Sequence, residues 1–335
     1  MPHYPPPIPS RRALLGGLLA APALTAFPGK ARAQAGWPDR PVRIVVPFTP
    51  GGSTDIIARA LGAELQSALG QPFVVENRGG AGGTVGCEVV AHAPPDGYTL
   101  LMGHIGTLSV NPSLYRNLTY DTVTSFAPIV LAAVVPNVMV VNPRKMPTGG
   151  IQELIALARR RPGALTYGSG GNGSAAHIAM AAFNLATGTE MTHVPYRGTA
   201  PMMNDLIGGT IDLTFTGGPP ALPPVRAGLL RALGVSSRER LSGAPDIPTL
   251  DEQGVTGFDA TQWYGLLAPA GTPRPIVERL NAESARILKG EALRPRLEAE
   301  GAVSSPGTPE AFRDFILAER TRWGEVVRRA DMRAD

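Results

Sequence analysis

Three loops in this sequence combine glycine with serine or threonine where a predicted strand gives way to a predicted helix. Free backbone N–H groups and the positive end of the helix dipole make such a junction a receptor for an anion. In the first loop, residues 47–55, Gly52, Ser53 and Thr54 can aim amides and hydroxyls at a carboxylate. The alternative is that Ser53 or Asp55 simply caps the helix, a role that does not exclude ligand binding.

The second loop, residues 103–107, follows another predicted strand. Ligands of open α/β sheets collect beyond the carboxyl ends of the strands, so this loop and the first can face one site. His104 either donates a hydrogen bond to a carboxylate or packs against its neighbours. Both roles stay open on the sequence alone.

The third loop, residues 167–174, contains the spacing G-x-G-x-x-G of dinucleotide-binding folds. That function requires an acid at the end of the next strand, to bind ribose. The sequence has Pro195, Tyr196 and Arg197 there instead. We therefore expect a second anion cradle rather than a nucleotide site, with Ser169 and Ser174 as donors.

Residues that could support catalysis or hold a metal are scarce. The serine-rich loop lacks the form G-x-S-x-G, no P-loop motif occurs, and the histidines lack metal-ligand spacing. The single cysteine, Cys87, allows no internal disulfide, and we expect it to pack in the core. We predict no enzyme activity, no metal and no cofactor. The alternative is an exported α/β enzyme that uses His104 or His177 as a base.

The elements that must position these loops alternate along the chain. From Val42 onward, short β-branched runs are followed by helical stretches, a pattern typical of βαβ units. We predict an α/β fold with two lobes, each a mainly parallel sheet flanked by helices. Residues 37–138 plus 262–335 are expected to form lobe I, which is discontinuous, and residues 139–261 lobe II. A cleft is expected between them.

The first 33 residues are typical of an export leader. Arg11 and Arg12 precede an apolar run too short to span a membrane, and a small-residue cleavage pattern at 31–33 follows, which makes Gln34 the expected first residue of the mature chain. Ordinary secretory and twin-arginine routes both remain open. The leader has four basic residues and no acid, which accounts for the whole net charge of +4. Nothing therefore favours nucleic-acid binding, and a periplasmic location is expected.

Several stretches of this sequence resemble the Bug family, the extracytoplasmic receptors of tripartite tricarboxylate transporters. The resemblance covers essentially residues 37–327. The stretches that carry it are PVRIVVPFTPGGSTDIIAR at 41–59, VVENRGGAGGTVG at 74–86, PDGYTLL at 95–101, VPYRG at 194–198 and YGLLAPAGTP at 264–273.

This resemblance implies a periplasmic-binding-protein fold of type II that closes around one small acid. It implies that backbone amides and hydroxyls of the first two loops hold the carboxylate, with further donors on the opposing lobe. The predicted ligand-binding residues are Phe48, Gly52, Ser53, Thr54, Asp55, His104, Thr107, Ser169, Ser174, Tyr196 and Thr199.

The expected function is capture of a small carboxylate between the lobes and its delivery to a membrane permease of the tripartite tricarboxylate type. A receptor that presents its ligand to a signalling partner is a further alternative. We expect a monomer, because a carrier must meet its permease.

Overall fold

The computed structural model of the protein describes residues 1–4, 36–147, 149–299 and 301–334. The chain divides into two units, residues 1–35 and residues 36–335. Apart from residues 1–4, the predicted leader lies outside the described residues, as does its cleavage site. Everything below concerns the second unit.

Strands and helices alternate along most of this unit. The first elements are β1 (Val42–Val46), α1 (Ser53–Leu69), β2 (Phe73–Asn77), α2 (Thr84–Ala91), β3 (Thr99–His104), α3 (Asn111–Leu114) and β4 (Phe126–Val135). The next are β5 (Asn137–Val141), α4 (Ile151–Arg160), β6 (Thr166–Ser169), α5 (Ala175–Thr187), β7 (Thr192–Pro195), α6 (Thr199–Gly208), β8 (Leu213–Gly217), α7 (Gly218–Arg226) and β9 (Arg231–Val235). The last are β10 (Gln262–Pro269), α8 (Arg274–Lys289), α9 (Arg294–Ala299), β11 (Val303–Ser304) and α10 (Pro309–Arg329).

The first sheet has six strands in the order β11-β4-β10-β3-β1-β2. Strand β1 is parallel to β2 and β3, whereas β10 is antiparallel to β3 and β4, and β11 is antiparallel to β4. The sheet is therefore mixed rather than mainly parallel. The reason is that β10 returns from the second lobe, so it starts at the end of the sheet where β3 finishes.

The second sheet has five strands in the order β7-β6-β8-β5-β9. Strand β6 is parallel to β7 and β8, and β5 is antiparallel to β8 and β9. It too is mixed, because β5 enters directly from β4. The predicted class, a two-lobed α/β fold, is confirmed. The chain passes between the sheets at Pro136 and again before Gln262, and the finer lobe boundaries stay a prediction.

Buried apolar side chains hold the helices against the sheets. In α1, Ile57, Leu61 and Leu65 recur at helical spacing and are fully buried. Each such burial contributes about 1.5–3 kcal/mol. Cys87 is buried as expected. Among the described residues, no helix combines the length and the apolar character that crossing a bilayer requires.

Helix α7 is an element that the sequence pattern did not predict. It contains four prolines, at 219, 220, 223 and 224. The first pair lies in the first turn, where a missing N–H costs nothing, but the second pair lies inside the helix, where proline normally breaks the hydrogen-bond ladder. Propensity therefore argues against a helix here, yet α7 packs on β5 and β8.

Candidate functional site

An inner cavity of about 40 Å³ lies between the two sheets. This space is enough for a carboxylate group or a few water molecules. None of the described residues around it carries a formal charge. They are Phe48, Gly52, Ser53, Thr54, His104, Asn137, Gly170, Ser174, Ala175, Ala176, Thr199, Met202, Thr216, Gly217, Gln262 and Tyr264.

The first-lobe wall of the inner cavity is the start of α1. The first helical hydrogen bond runs from the Ile56 N–H to the Gly52 carbonyl, at 3.0 Å. The amides of Ser53 and Thr54 therefore have no partner within the helix, and both residues line the cavity. This is the arrangement that the first glycine loop predicts.

The second-lobe wall is built from the starts of α5, α6 and α7. Ser174, Thr199 and Gly217 mark these three starts, and each lines the cavity. In α5 the first helical bond joins the Ile178 N–H to the Ser174 carbonyl at 3.1 Å, so the amide of Ala175 is also free of a helical partner. Four helix N-termini thus converge on one uncharged space, and their dipoles make it electropositive.

Ser174 is the clearest sign that this space receives a ligand. Its side chain is only 5% exposed, and its Oγ has no hydrogen-bond partner among the described residues. Although Ser174 is the residue before α5, its hydroxyl makes no capping bond. A buried hydroxyl left unsatisfied costs about 1–3 kcal/mol, a cost that an acceptor in the cavity would remove.

The floor of the cavity comes from the two chain crossings. Gln262 donates from Nε2 to Asn137 Oδ1 at 2.5 Å, and Tyr264 donates its hydroxyl to Gln262 Oε1. Asn137 in turn donates to the Ala260 carbonyl at 2.7 Å. Polar side chains on the strands that link the lobes therefore face the same space as the helix starts.

His104 completes this floor and is uncharged. Burial lowers its pKa to about 3, against the effect of a hydrogen bond with Gln262. Its Nδ1 accepts a hydrogen bond from the Gly106 N–H at 2.9 Å, which places the proton of the neutral ring on Nε2. The ring also packs edge-on against Phe48, with centroids 4.9 Å apart. His104 thus packs against Phe48, whereas donation from its Nε2–H to a bound carboxylate stays a prediction.

Asp55 and Thr107, both predicted to bind the ligand, do not line the inner cavity. Asp55 accepts from the Gly51 N–H, from Arg59 and from Asn77, each at 3.0 Å. Burial raises the pKa of Asp55, but these donors outweigh that effect and lower it overall. Thr107 is fully buried, and its Oγ1 donates to the His104 carbonyl at 3.0 Å. Both residues shape the loops that carry the lining groups.

Ser169 also lies outside the inner cavity, and its hydroxyl makes hydrogen bonds elsewhere. The Oγ lies 2.6 Å from His193 Nε2 and accepts from the Gly171 N–H at 3.1 Å. The His193 ring stacks on His177 with centroids 3.9 Å apart. Tyr196 lines a neighbouring, larger opening, and its hydroxyl donates to Asp205 at 2.7 Å.

The lobes meet at glycines. A Cβ added to Gly106 would lie 2.3 Å from the Gly173 carbonyl oxygen, and one added to Gly198 would lie 1.8 Å from Thr49 Oγ1. In each pair the two residues come from opposite lobes. The lobes are therefore in contact around the cavity, at a spacing that only glycine permits.

Nine lining residues are absent from the predicted set. Four of them, Gly170, Ala175, Ala176 and Met202, lie in the third loop or in helices that begin at a predicted residue. The remaining five are Asn137, Thr216, Gly217, Gln262 and Tyr264. Thr216 and Gly217 did carry a usable signal, since they repeat the form of a strand followed by glycines and a helix. The prolines of α7 concealed it. The other three lie on crossing strands, which have no local signature.

Residues 57–332 match the family model described as the tripartite tricarboxylate transporter family receptor. The chain belongs to this receptor family. It is 39% identical to Protein BugT of Bordetella pertussis over 293 residues, which cover 87% of this chain and 90% of BugT.

Solved structures of similar receptors agree with this assignment. The structure described as R. palustris Rpa4515 with adipate is 39% identical, with a TM-score of 0.86 over 88% of this chain and 98% of that one. The periplasmic binding protein BugD is 37% identical, with a TM-score of 0.84 over 89% of this chain and all of that one. The tripartite tricarboxylate receptors are periplasmic solute-binding proteins.

Membership in this receptor family also decides the enzyme alternative: the chain is a solute-binding receptor and not an enzyme. The geometry explains why its histidines are unsuited to act as bases. The Nδ1 of His104 is occupied by Gly106, and that of His177 accepts from the Gly173 N–H at 3.2 Å. Within the described residues, no group of three or more histidine, cysteine or acidic side chains could hold a metal ion.

Proposed function

We propose that this receptor captures a small carboxylate in the inner cavity. The observation that carries the proposal is the unsatisfied, buried Ser174 hydroxyl. It lies in an uncharged space at which four helices begin. A carboxylate accepts several hydrogen bonds at once, so it can satisfy Ser174 and the free amides of Ser53 and Thr54 together.

The energetics suit a carboxylate better than a neutral solute. Hydrogen bonds to a charged group contribute about 1.5–3 kcal/mol each. Three or four of them approach the ~8 kcal/mol of a micromolar complex. A charged side chain is not required, because the helix dipoles and amides supply the positive potential.

Isothermal titration calorimetry with mono-, di- and tricarboxylates and acidic amino acids tests this function. We expect at least one acid to bind with micromolar affinity or better, and the corresponding amide or alcohol to bind at least tenfold more weakly. Mass spectrometry of ligand retained by the purified protein identifies the natural acid. Failure of the folded protein to bind any small acid would overturn the proposal.

Delivery of the captured acid to a transporter permease is the second part of the proposal. It is supported by the receptor family to which the chain belongs. Crosslinking of the loaded receptor in native membranes should capture a permease subunit. Capture of a sensor kinase instead would favour a role in signalling.

Export to the periplasm, with removal of the leader, is the third part of the proposal. Cleavage after Ala33 and release as a monomer are expected, and they are checked by N-terminal sequencing of the exported protein and by light scattering. An intact leader on the exported chain would contradict this.

A further inference from the structure

A larger opening of about 690 Å³ adjoins the inner cavity and shares Phe48 and Gly170 with it. We call it the outer chamber. It is bounded by the first-lobe residues 79–83 and by Tyr196 and Arg197 of the second lobe, among others. The two spaces are neighbours, and Phe48 and Gly170 form part of the wall of both.

The two spaces differ in size and can therefore hold different parts of a ligand. The inner cavity, at about 40 Å³, admits little more than one carboxylate group. The outer chamber, beyond Phe48, is the adjoining space into which the rest of a larger ligand can extend. What lines the outer chamber then decides which guests are accepted.

The outer chamber has one charged side chain among its described lining residues, and it is positive. Arg197 is exposed, and its guanidinium makes no hydrogen bond or ion pair with any described residue. No acidic side chain of the described residues lines the chamber. The side chains of Tyr115 and Asn172 also line it and likewise make no hydrogen bond in this part of the chain.

We propose that the outer chamber binds a second acidic group of the guest, and that Arg197 is the residue that selects diacids over monoacids. The inference rests on the proposed function, since the first carboxylate must occupy the inner cavity. A free guanidinium can bind a carboxylate through two parallel hydrogen bonds. Tyr115 and Asn172 supply neutral donors on the wall of the same chamber.

The test compares straight-chain diacids of four to eight carbons with monoacids of the same lengths. Calorimetry is carried out on the unmodified receptor, on Arg197→Gln and on Arg197→Lys. We expect the unmodified receptor to prefer the best diacid to its matched monoacid by about tenfold or more. Arg197→Gln should lose this preference while keeping its affinity for the monoacid, and Arg197→Lys should keep part of it.

Salt dependence provides a readout that a purely structural role would not change. The exposed guanidinium is screened by electrolyte, so diacid affinity should fall with added salt in the unmodified receptor and change little in Arg197→Gln. Arg160→Gln, at an exposed position on α4, is the matched control and should bind like the unmodified receptor.

Equal binding of diacids and monoacids, or equal weakening of both by Arg197→Gln, would overturn this proposal but leave carboxylate capture intact. If the folded receptor bound no acid of either series, both proposals would fail.

Discussion

The carbonyl oxygen of Gly173, in the second lobe, lies 2.3 Å from the point where a Cβ on Gly106, in the first lobe, would be placed. Gly106→Ala should therefore hold the lobes apart and lower ligand affinity at least tenfold. Small-angle scattering should show a larger radius of gyration, and circular dichroism should be unchanged. Gly208→Ala, with nothing within 4 Å of the added Cβ, is the control and should bind normally. Unchanged affinity in Gly106→Ala would mean that binding does not need this contact.

Ser174→Ala separates ligand binding from stability. Replacing a residue that caps a helix usually costs about 1 kcal/mol, but the Ser174 hydroxyl makes no capping bond. We expect the unliganded protein to gain up to about 1–3 kcal/mol of stability, because an unsatisfied buried hydroxyl is removed. Affinity should fall about tenfold or more, because a charge-assisted hydrogen bond is lost.

Thr308→Ala is the matched control, since Thr308 Oγ1 accepts from the Ala311 N–H at 3.1 Å. It should lose about 1 kcal/mol of stability without any change in affinity. Thermal melts and calorimetry check both variants. A loss of stability in Ser174→Ala with unchanged affinity would contradict this assignment.

Three histidines predict how stability depends on pH: His104 and His177, which are buried, and His193, which is partly buried. Burial lowers the pKa of His104 to about 3, of His177 to about 3 and of His193 to about 4, from an ordinary value of 6.5. Below pH 6.5 the unfolded chain binds protons that the folded chain excludes, so stability falls as the pH falls from 6.5 toward 4. At pH 5.5 each histidine should cost roughly 1 kcal/mol.

Urea unfolding at pH 7.5 and 5.5 measures this loss. His177→Gln should remove the part of this loss that His177 contributes, because glutamine does not bind a proton in this pH range. The glutamine oxygen can still accept from the Gly173 N–H, so the local structure should be kept. His92→Gln, at an exposed position, should leave the pH dependence as it was. Carboxylates with a lowered pKa, such as Asp55, add their own loss only at lower pH. Equal stability at the two pH values would rule out this account.

Asp55→Asn should weaken the first loop without touching the cavity. The carboxylate accepts from three donors, Gly51 N–H, Arg59 and Asn77, and an amide oxygen cannot replace both carboxylate oxygens. We expect a loss of about 1–3 kcal/mol in unfolding free energy and weaker ligand binding. Glu278→Gln, which removes an exposed ion pair with Arg274, should change stability by less than about 0.5 kcal/mol. Denaturant titration compares the two variants.

The parts of the site that could be predicted from sequence are those with a local pattern. Gly52, Ser53 and Thr54 were found because a strand, glycines and a helix follow one another along the chain. The engagement of Ser169 by His193 joins residues 24 positions apart, and no short motif reports it. Asn137 and Gln262 meet only because the chain crosses twice between the lobes.

In the fold, too, the features with a local sequence pattern could be predicted and the others could not. The alternation of strands and helices predicted two α/β lobes, but α7 was concealed by its prolines. Strand directions depend on where β4, β5 and β10 enter the sheets, which is a matter of topology rather than of composition.

Because the described residues around the inner cavity carry no formal charge, the cavity attracts an anion only at short range. Fields from peptide and hydroxyl dipoles fade within a short distance, whereas a full charge is felt over about 10 Å at 0.1 M ionic strength. An anion gains nothing from the pocket until it has entered. Background electrolyte, which screens long-range forces, should therefore have little effect on the binding of a monoacid, which occupies this innermost compartment alone.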